Sequence, residues 1–422
     1  MSSISGDEKP LRIAILADDM TGAGDTVVQF AERGWPSYLQ RTDDPPPLPK
    51  VSALARSLNT RALPGHAAAS LTEAATKGML EAGISRLYLK VDSTMRGSVA
   101  AQLKGALHAW REVYPESFVV LCPAYPAMGR TIDRGRLFVN GVALEDSPAG
   151  TDPVTPMRTS LFGELVPGCA VVPSGTAAEL SRTIRAAART HDVVVVEAAE
   201  ESALDALSEV IARLGPEALP AGSAGLALAL AKAWRPRGCS AEENPGIKVN
   251  GTILVLRTSA NEVSRRQLSR VIECWRTEDL LTLVPETSDL SSGKSARDWM
   301  GRQRIAGSKP RILVLEVPGE RIESESLVEA SQRIARGMAS AVKAIVAGIG
   351  VEALVLIGGD GVDATLAALD VKTLRVICNI VEGVPVSEVP GDSGRRMIVV
   401  TKAGGFGDEN TLMTVLKWLQ GH

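Results

Sequence analysis

Two α/β domains with mainly parallel sheets are what this 422-residue chain predicts, on three observations. Short apolar runs recur along its length, and Ala-, Leu- and charge-rich stretches long enough for helices separate many of them. The runs lack a clear alternation of apolar and polar residues, as expected of strands covered on both faces. The chain also exceeds what one ordinary hydrophobic core accommodates.

The predicted strands are Ile13–Ala17, Leu87–Lys90, Val119–Leu121, Val193–Val196, Ile253–Leu256, Ile312–Val317, Leu354–Ile357 and Ile398–Val400. Helices are expected over Ala67–Ala82, Ala177–Thr190, Glu201–Leu214, Asn261–Trp275 and Leu327–Ala347. Alternation of this kind favours parallel neighbours joined by right-handed crossovers. Pro, Gly and charge collect in Arg235–Gly251, which is read as the linker between domains 1–240 and 241–422. The proline-rich Asp43–Lys50 comes after too little chain to close off a core and is read as a surface loop. No internal repeat is evident.

Composition narrows the function. At 45% hydrophobic and 23% charged residues, with a formal net charge of −3, the chain is neither disordered nor a basic nucleic-acid binder. Its five cysteines, Cys122, Cys169, Cys239, Cys274 and Cys378, form no CxxC pair and are expected as reduced thiols, mostly in the core. With His66, His108, His191 and His422 as the only histidines, a zinc site is improbable, and the metal ligands are unknown. The polar Met1–Pro10 does not resemble a signal peptide, and no apolar run approaches a membrane span, so a soluble cytoplasmic protein is expected.

Ligands of open α/β sheets sit beyond the carboxyl ends of strands, so the residues just after each apolar run are the candidates for a site. Ile13–Ala17 leads into Asp18, Asp19 and a Gly-containing turn before a helix. Such carboxylates can accept substrate hydroxyls or a proton, although either one could instead merely cap the helix. Leu87–Lys90 leads into Val91, Asp92, Ser93, Thr94, Met95 and Arg96, a set able to grip both ends of a hydroxy acid. Asp18, Asp19 and Asp92 are all candidate bases at this point. Arg61 could add cationic charge, and the loop after Val119–Leu121 could aim Arg130 inward; each has an ordinary structural reading too. Cys122 is read as core. In the second half, Gly358, Gly359, Asp360 and Gly361 precede a helical segment Val362–Leu369, and Gly404 and Gly405 come after the strand Ile398–Val400. With Thr258–Asn261 after Ile253–Leu256, that makes three loops compatible with phosphate, without a GxGxxG or P-loop signature.

Taken together, ADDMTGAGD (Ala17–Asp25), KVDSTMRG (Lys90–Gly97), CPAYPAMGRT (Cys122–Thr131), GSAGLA (Gly222–Ala227), IGGDG (Ile357–Gly361) and TKAGGFG (Thr401–Gly407) resemble the four-carbon acid sugar kinase family across nearly the whole chain. That resemblance implies an N-terminal sugar-acid domain, a C-terminal nucleotide domain and ATP; phosphoryl transfer requires the triphosphate to be neutralised, so Mg²⁺ is expected. It implies sugar-acid contacts from Asp18 or Asp19, Arg61 and Lys90–Ser93, with Arg96 in the same motif, and ATP contacts from Ser259, Gly358, Gly359, Asp360, Gly361, Gly404 and Gly405. Family members commonly carry a hydroxyl residue where this chain has Gly361. KVDSTMRG is closer to the threonate and erythronate kinases than to the 3-oxo-tetronate kinases, so D-threonate is the expected acceptor, with D-erythronate next. Partners are then the small acid and ATP, with no nucleic acid or membrane; self-association is left open. The competing readings are a non-catalytic sugar-acid binding protein and, from GGDG alone, a relative of NAD kinases or phosphofructokinases, in which that loop lies early in the chain.

Overall fold

The computed structural model describes residues 11–41, 49, 51–152, 155–235, 246–275, 278–303, 305, 310–318, 327–390 and 396–421. The proposed linker residues 236–245, Cys239, His422, the N-terminal ten residues and most of the proline-rich 43–50 stretch lie outside these. The chain forms two compact α/β units: Met1–Tyr38 with Pro45–Ala241, and Leu39–Asp44 with Glu242–His422.

In the first unit, β1 (Leu11–Ala17), α1 (Met20–Ala31), β2 (Ser37–Gln40), β3 (Val51–Ser57), α2 (Gly65–Glu81), β4 (Arg86–Lys90), α3 (Val99–Arg111) and β5 (Phe118–Cys122) succeed one another in order. A small antiparallel meander of β6 (Arg130–Asp133), β7 (Arg136–Val139) and β8 (Val142–Ala143) comes next, then the single-turn α4 (Phe162–Leu165). The unit closes with β9 (Ala170–Val172), α5 (Ala177–Ala188), β10 (Val193–Val196), α6 (Glu201–Leu214), β11 (Ala218–Gly222) and α7 (Ala224–Ala233). Its main sheet has the order β2-β3-β1-β4-β11-β5-β10-β9. The pairs β3–β1, β1–β4, β4–β11, β11–β5, β5–β10 and β10–β9 are parallel. Successive residues Ile13, Ala14, Ile15 and Leu16 of β1 are all buried, which explains why the strands read as apolar runs without alternation.

The second unit contains β12 (Thr252–Arg257), α8 (Glu262–Cys274), β13 (Leu280–Leu283), α9 (Gly293–Arg302), β14 (Ile312–Glu316), α10 (Leu327–Gly348), β15 (Val351–Ile357), α11 (Gly359–Ala368), β16 (Thr373–Asn379), β17 (Pro385–Val389), β18 (Met397–Lys402) and α12 (Thr411–Leu419). The order is β13-β14-β12-β15-β18-β17-β16, parallel through β18, with β17 antiparallel to both its neighbours. Ile253, Val255, Ile312, Val314, Val355, Ile398 and Val400 form one apolar layer with Leu268 and Val271 of α8 and Leu412, Val415 and Leu416 of α12. The intervening Leu254, Leu256, Leu354 and Leu356 are equally buried, so this sheet too is covered on both faces. Arg41 belongs to this unit: its backbone N–H donates to the Lys372 carbonyl, and its guanidinium reaches Asp363 and the Val371 carbonyl at 3.0 Å each.

Every predicted strand and helix is present, with boundaries shifted by a few residues. Two loop expectations change. The residues after Asp19 are no flexible turn but the start of α1 at Met20, and the glycines after Gly358 open α11 at Gly359. The glycines there serve close packing, since a Cβ at Gly22 would meet the Asp19 side chain and one at Gly361 the Thr258 side chain. The thiols also depart from expectation: among the described cysteines only Cys122 is buried, Cys169 and Cys378 are half-buried and Cys274 is exposed.

Close helix packing gives a direct test of this architecture. A Cβ at Gly105 of α3 would collide with the Ala69 carbonyl of α2, backbone against backbone. Gly105→Ala should therefore destabilise the first unit by about 1–3 kcal/mol, despite the higher helix propensity of alanine. Chemical denaturation checks this; unchanged stability would contradict the close α2–α3 approach.

Candidate active site

Register brings the first-unit candidates to one level. Ala17, the last residue of β1, is opposite Ser57 of β3 and Lys90 of β4, while Gly222 of β11 is opposite Lys90 and Cys122. The segments leaving these strands interlock through backbone hydrogen bonds, Asp18 N–H to Lys90 C=O at 3.3 Å, Thr60 N–H to Asp18 C=O at 3.0 Å and Val91 N–H to Gly222 C=O at 3.0 Å.

On that platform the side chains form a compact ionic array. Arg61 donates through Nε to Asp18 Oδ2 at 2.7 Å and through Nη2 to Asp18 Oδ1 at 3.1 Å. Its Nη1 lies 3.0 Å from Asp19 Oδ2 and its Nη2 3.6 Å from Asp92 Oδ1. Asp19 also caps α1, accepting from Gly22 N–H at 2.8 Å and from the Thr21 hydroxyl at 2.8 Å. Both roles weighed for this residue are thus compatible. Asp92 accepts from Arg96 Nε at 2.8 Å and Nη2 at 3.1 Å, and from the Thr94 hydroxyl, while Arg96 Nη1 continues to Asp152 at 2.9 Å.

Environment separates the carboxylates. Burial, reinforced by the negative charge of Asp19, raises Asp18 above the ordinary aspartate value even against Arg61 and Lys90. Burial works in the same direction on Asp19, but there Arg61, Lys90 and the cap hydrogen bonds outweigh it and hold the group low. Asp92 is held well below the usual range by Arg61 and Arg96 despite its burial. It is an ionised anchor. Burial pushes the Cys122 thiol up to about 12, which removes it as a nucleophile.

The cations divide in the same way. Arg61 and Arg96 are committed to internal carboxylates, whereas Lys90 has no carboxylate within 4 Å among the described residues, although its charge acts on both Asp18 and Asp19. Gly22 is required beside it, since a Cβ there would lie 2.5 Å from Asp19 Oδ1 and 2.9 Å from Lys90 Nζ. Val91 is buried with its N–H used on Gly222, and Ser93 is half-exposed next to Asp92. Sequence reading did not find Asp152, which carries no local signal for its pairing with Arg96.

The second-unit candidates also gather at strand ends. Arg257 of β12 is opposite Ile357 of β15, and Ile357 is opposite Lys402 of β18. Thr258 N–H donates to Ile357 C=O at 2.9 Å and Gly358 N–H to Lys402 C=O at 3.1 Å. Gly358 has φ +113°, and a Cβ there would lie 2.9 Å from Ser259 N. At Gly404 a Cβ would collide with Ser259 Oγ, so the three loops are packed against one another. Thr258 Oγ1 fills the space a side chain at Gly361 would need, the physical reason for the glycine where a hydroxyl residue was expected.

Backbone N–H groups at the start of α11 receive no side-chain cap, and Asp360 lies in its first turn with Ser331 donating to it at 2.9 Å. Lys402 is buried and its Nζ donates to the Ala403 carbonyl at 2.9 Å. Burial pushes this ammonium down to about 8. Arg257, a charge ending an apolar strand, was legible in the sequence but passed over; its guanidinium holds the Ser259 carbonyl and pairs with Glu316.

Residues 13–230 match the family described as a sugar-binding N-terminal domain, and residues 254–412 the one described as a nucleotide-binding C-terminal domain. A D-threonate kinase of Bordetella bronchiseptica is 33% identical over 412 residues, covering 95% of this chain and 96% of that protein. The chain belongs to the four-carbon acid sugar kinase family. A 3-oxo-tetronate kinase of Salmonella typhimurium is 30% identical over 271 residues, covering 61% of this chain and 64% of its own. A solved structure from Salmonella typhimurium, described as a putative tRNA synthase, shares the fold with a TM-score of 0.77 at 23% identity, covering 96% of this chain and 98% of that one. Among the described residues no helix is long and apolar enough to cross a membrane. The only carboxylate–histidine cluster among them, Glu73, His108 and Glu112, is on the surface of α2 and α3 and already holds Lys77, 2.7 Å from Glu112 and 3.2 Å from Glu73.

In this family member, the bridging role of Arg61 has a measurable consequence. Arg61→Gln leaves the carboxylates of Asp18, Asp19 and Asp92 without their common cation, and should cost about 3–5 kcal/mol at neutral pH. Protonation sets the sign of the pH dependence. Asp19 and Asp92, lowered in the folded protein by the neighbouring cations, contribute stability that is present above the usual aspartate range and is lost as pH falls below it through their lowered values. Without Arg61 they protonate sooner. Asp18, raised already, rises further without Arg61 and penalises the variant increasingly as pH climbs. The stability gap between wild type and variant should therefore shrink toward pH 4, as read by denaturant titration; a gap independent of pH contradicts the array.

Proposed function

We propose that this chain transfers the terminal phosphoryl group of ATP to a hydroxyl of D-threonate, giving 4-phospho-D-threonate. The observation that carries this reading is the first-unit array, in which a part-exposed hydroxyl acceptor, Asp19, lies beside an ammonium, Lys90, that has no carboxylate within 4 Å among the described residues. A polyhydroxy acid supplies a hydroxyl proton to the carboxylate and a hydroxyl oxygen to the ammonium, and brings an anion to the cations around the array. The D-threonate kinase relative, similar along its whole length, supports the choice among four-carbon acids. D-Erythronate and 3-oxo-tetronate are the next acceptors, the latter on the shorter similarity to a 3-oxo-tetronate kinase.

Asp19 is the group we assign to the acceptor hydroxyl. Asp18 is almost fully enclosed with both oxygens on Arg61, and Asp92 is saturated by Thr94, Arg96 and Arg61, whereas the Asp19 side chain retains 21% exposure. Phosphoryl transfer passes through a loose transition state, so orienting the oxygen in line matters more than a strong base, and a low-pKa carboxylate suffices. Asp18 and Asp92 then act by fixing Arg61, and through it Asp19.

The nucleotide reading rests on Ser259, Gly358, Gly359, Gly361, Gly404 and Gly405, which bring backbone N–H groups and the start of α11 to one place without intruding side chains. Lys402 supplies a cation there. Asp360 is the described carboxylate suited, with phosphate oxygens, to a hard divalent ion such as Mg²⁺, which when bound neutralises the polyphosphate. The free thiols Cys122, Cys169, Cys274 and Cys378 fit a reducing, cytoplasmic setting.

An ADP-release screen over four-carbon aldonates and their 3-oxo forms tests the assignment. D-Threonate should be turned over best and the uncharged alcohol D-threitol at least tenfold less efficiently; equal turnover of acid and alcohol would refute the acid reading. Lys402 gives a second test. It loses its proton as pH rises through about 8, whereas bound polyphosphate favours the charged form, so ATP affinity without acceptor should fall above that pH. Lys402→Met should bind about tenfold more weakly at pH 7 and lack this extra fall. Titration calorimetry at several pH values decides it, and an identical pH slope in the variant removes Lys402 from the phosphate site.

A further inference from the structure

Among the cations around the first-unit array, Arg130 is placed differently from the two other arginines. It begins β6 directly after Gly129, whose φ of +72° closes a single 3₁₀ turn over Pro126–Met128. The turn is pinned on both sides. Tyr125 and Arg130 exchange backbone hydrogen bonds at 2.8 and 3.0 Å, and the Asn140 side chain occupies the space any Cβ at Gly129 would need. Below, the Ser223 hydroxyl at the start of α7 donates to the Ala124 carbonyl at 2.7 Å, and Gly225 allows the Tyr125 ring to lie against that helix. The backbone of Arg130 is thus fixed in the segment beyond β5, whose last residue, Cys122, is level with Lys90 through their shared partner Gly222.

Its guanidinium is half-buried and close enough to the array for the charges of Asp92 and Arg96 to act on it. Yet its one hydrogen bond is to the Met128 carbonyl, and it has no carboxylate within 4 Å among the described residues. Asp92 is already taken by Arg96 and Arg61, and Asp152 holds Arg96. A partly desolvated guanidinium without an anion is costly, and its planar fork is matched to a carboxylate. Arg61, whose nitrogens face Asp18, Asp19 and Asp92, has no such vacancy.

We propose that Arg130 binds the carboxylate of the acid substrate and so sets the preference of this kinase for acids over neutral polyols, with Lys90 serving the hydroxyl end beside Asp18 and Asp19. The proposal rests on the sugar-acid reading of the site given above and deepens it.

Calorimetric titration of the full-length protein without nucleotide, using D-threonate and its neutral amide D-threonamide, tests it on wild type, Arg130→Gln and Arg130→Lys. Arg130→Gln should weaken D-threonate binding by about 10- to 100-fold and shift D-threonamide binding less than threefold, with Arg130→Lys recovering part of the loss. Circular dichroism and an unchanged ATP affinity establish that the variants fold. Wild-type affinity of Arg130→Gln for D-threonate, or an equal loss for acid and amide, overturns the assignment, as does a wild type that binds the amide as tightly as the acid. The kinase reading fails separately: Arg130-dependent binding of D-threonate without ADP formation would sink phosphoryl transfer to that acid and leave Arg130 as the carboxylate anchor.

Discussion

Carboxylates from two neighbouring strand ends, Asp18 and Asp19 after β1 and Asp92 after β4, converge on the guanidinium of Arg61, which arrives on the segment after β3. Like charges that are buried together raise one another's pKa or force the chain apart unless a cation intervenes. The planar fork of arginine meets this demand because its nitrogens can face three partners in one plane, which a lysine ammonium on a flexible stem would not hold in fixed geometry. Arg96 and Asp152 extend the same alternation of charge. The array is thereby a structural element, reinforcing segments that backbone hydrogen bonds already interlock, and its ionised members owe their state to one another.

The second unit solves a different problem by different means. A polyphosphate needs many donors and little bulk, so its strand ends carry glycines where the first unit carries charges. The packing of Gly358 on Ser259, of Gly361 on Thr258 and of Gly404 on Ser259 leaves no room for side chains between the loops. Arg257 stiffens this arrangement from below by holding the Ser259 carbonyl and pairing with Glu316 at the end of β14. Backbone N–H groups and the uncapped start of α11 are what these strand ends present, with the buried Lys402 ammonium beneath them at the end of β18.

Much of this was legible in the sequence because parallel strands buried on both faces leave unbroken apolar runs, and the residues at the carboxyl ends of such runs mark the ligand-facing edge. β1, β4, β12, β15 and β18 were found in that way, and with them Asp18, Asp19, Lys90, Asp92 and the glycine loops. Elements with weaker patterns were missed: β16 and β17 carry polar residues such as Arg375, Asn379, Ser387 and Glu388 because they are antiparallel and less completely covered. Pairings across long sequence separations were equally invisible. Nothing near Asp152 announces Arg96, and nothing near Arg41 announces Asp363, because such contacts depend on where the fold returns the chain. The glycine at 361 looked like a lost hydroxyl contact in one dimension and proves to be a steric requirement imposed by Thr258 in three.

The cations of the two strand-end clusters differ not in residue type or motif membership but in whether an internal anion already satisfies them. Arg61 and Arg96 lie in the most suggestive positions of the sequence, yet their nitrogens are directed at aspartates. Lys90, Arg130 and Lys402 are enclosed to differing degrees and have no carboxylate within 4 Å among the described residues. Desolvating a cation without an anion lowers its pKa, as at Arg130 and Lys402, and lowers the stability of the folded chain. A fold that retains such groups gains from them when an anion binds and restores the missing partner, and both substrates assigned to this kinase are anions. On the proposed assignment, acid and nucleotide are chosen by the groups left without an internal carboxylate, while the aspartate–arginine array that first draws attention holds the strand ends in place.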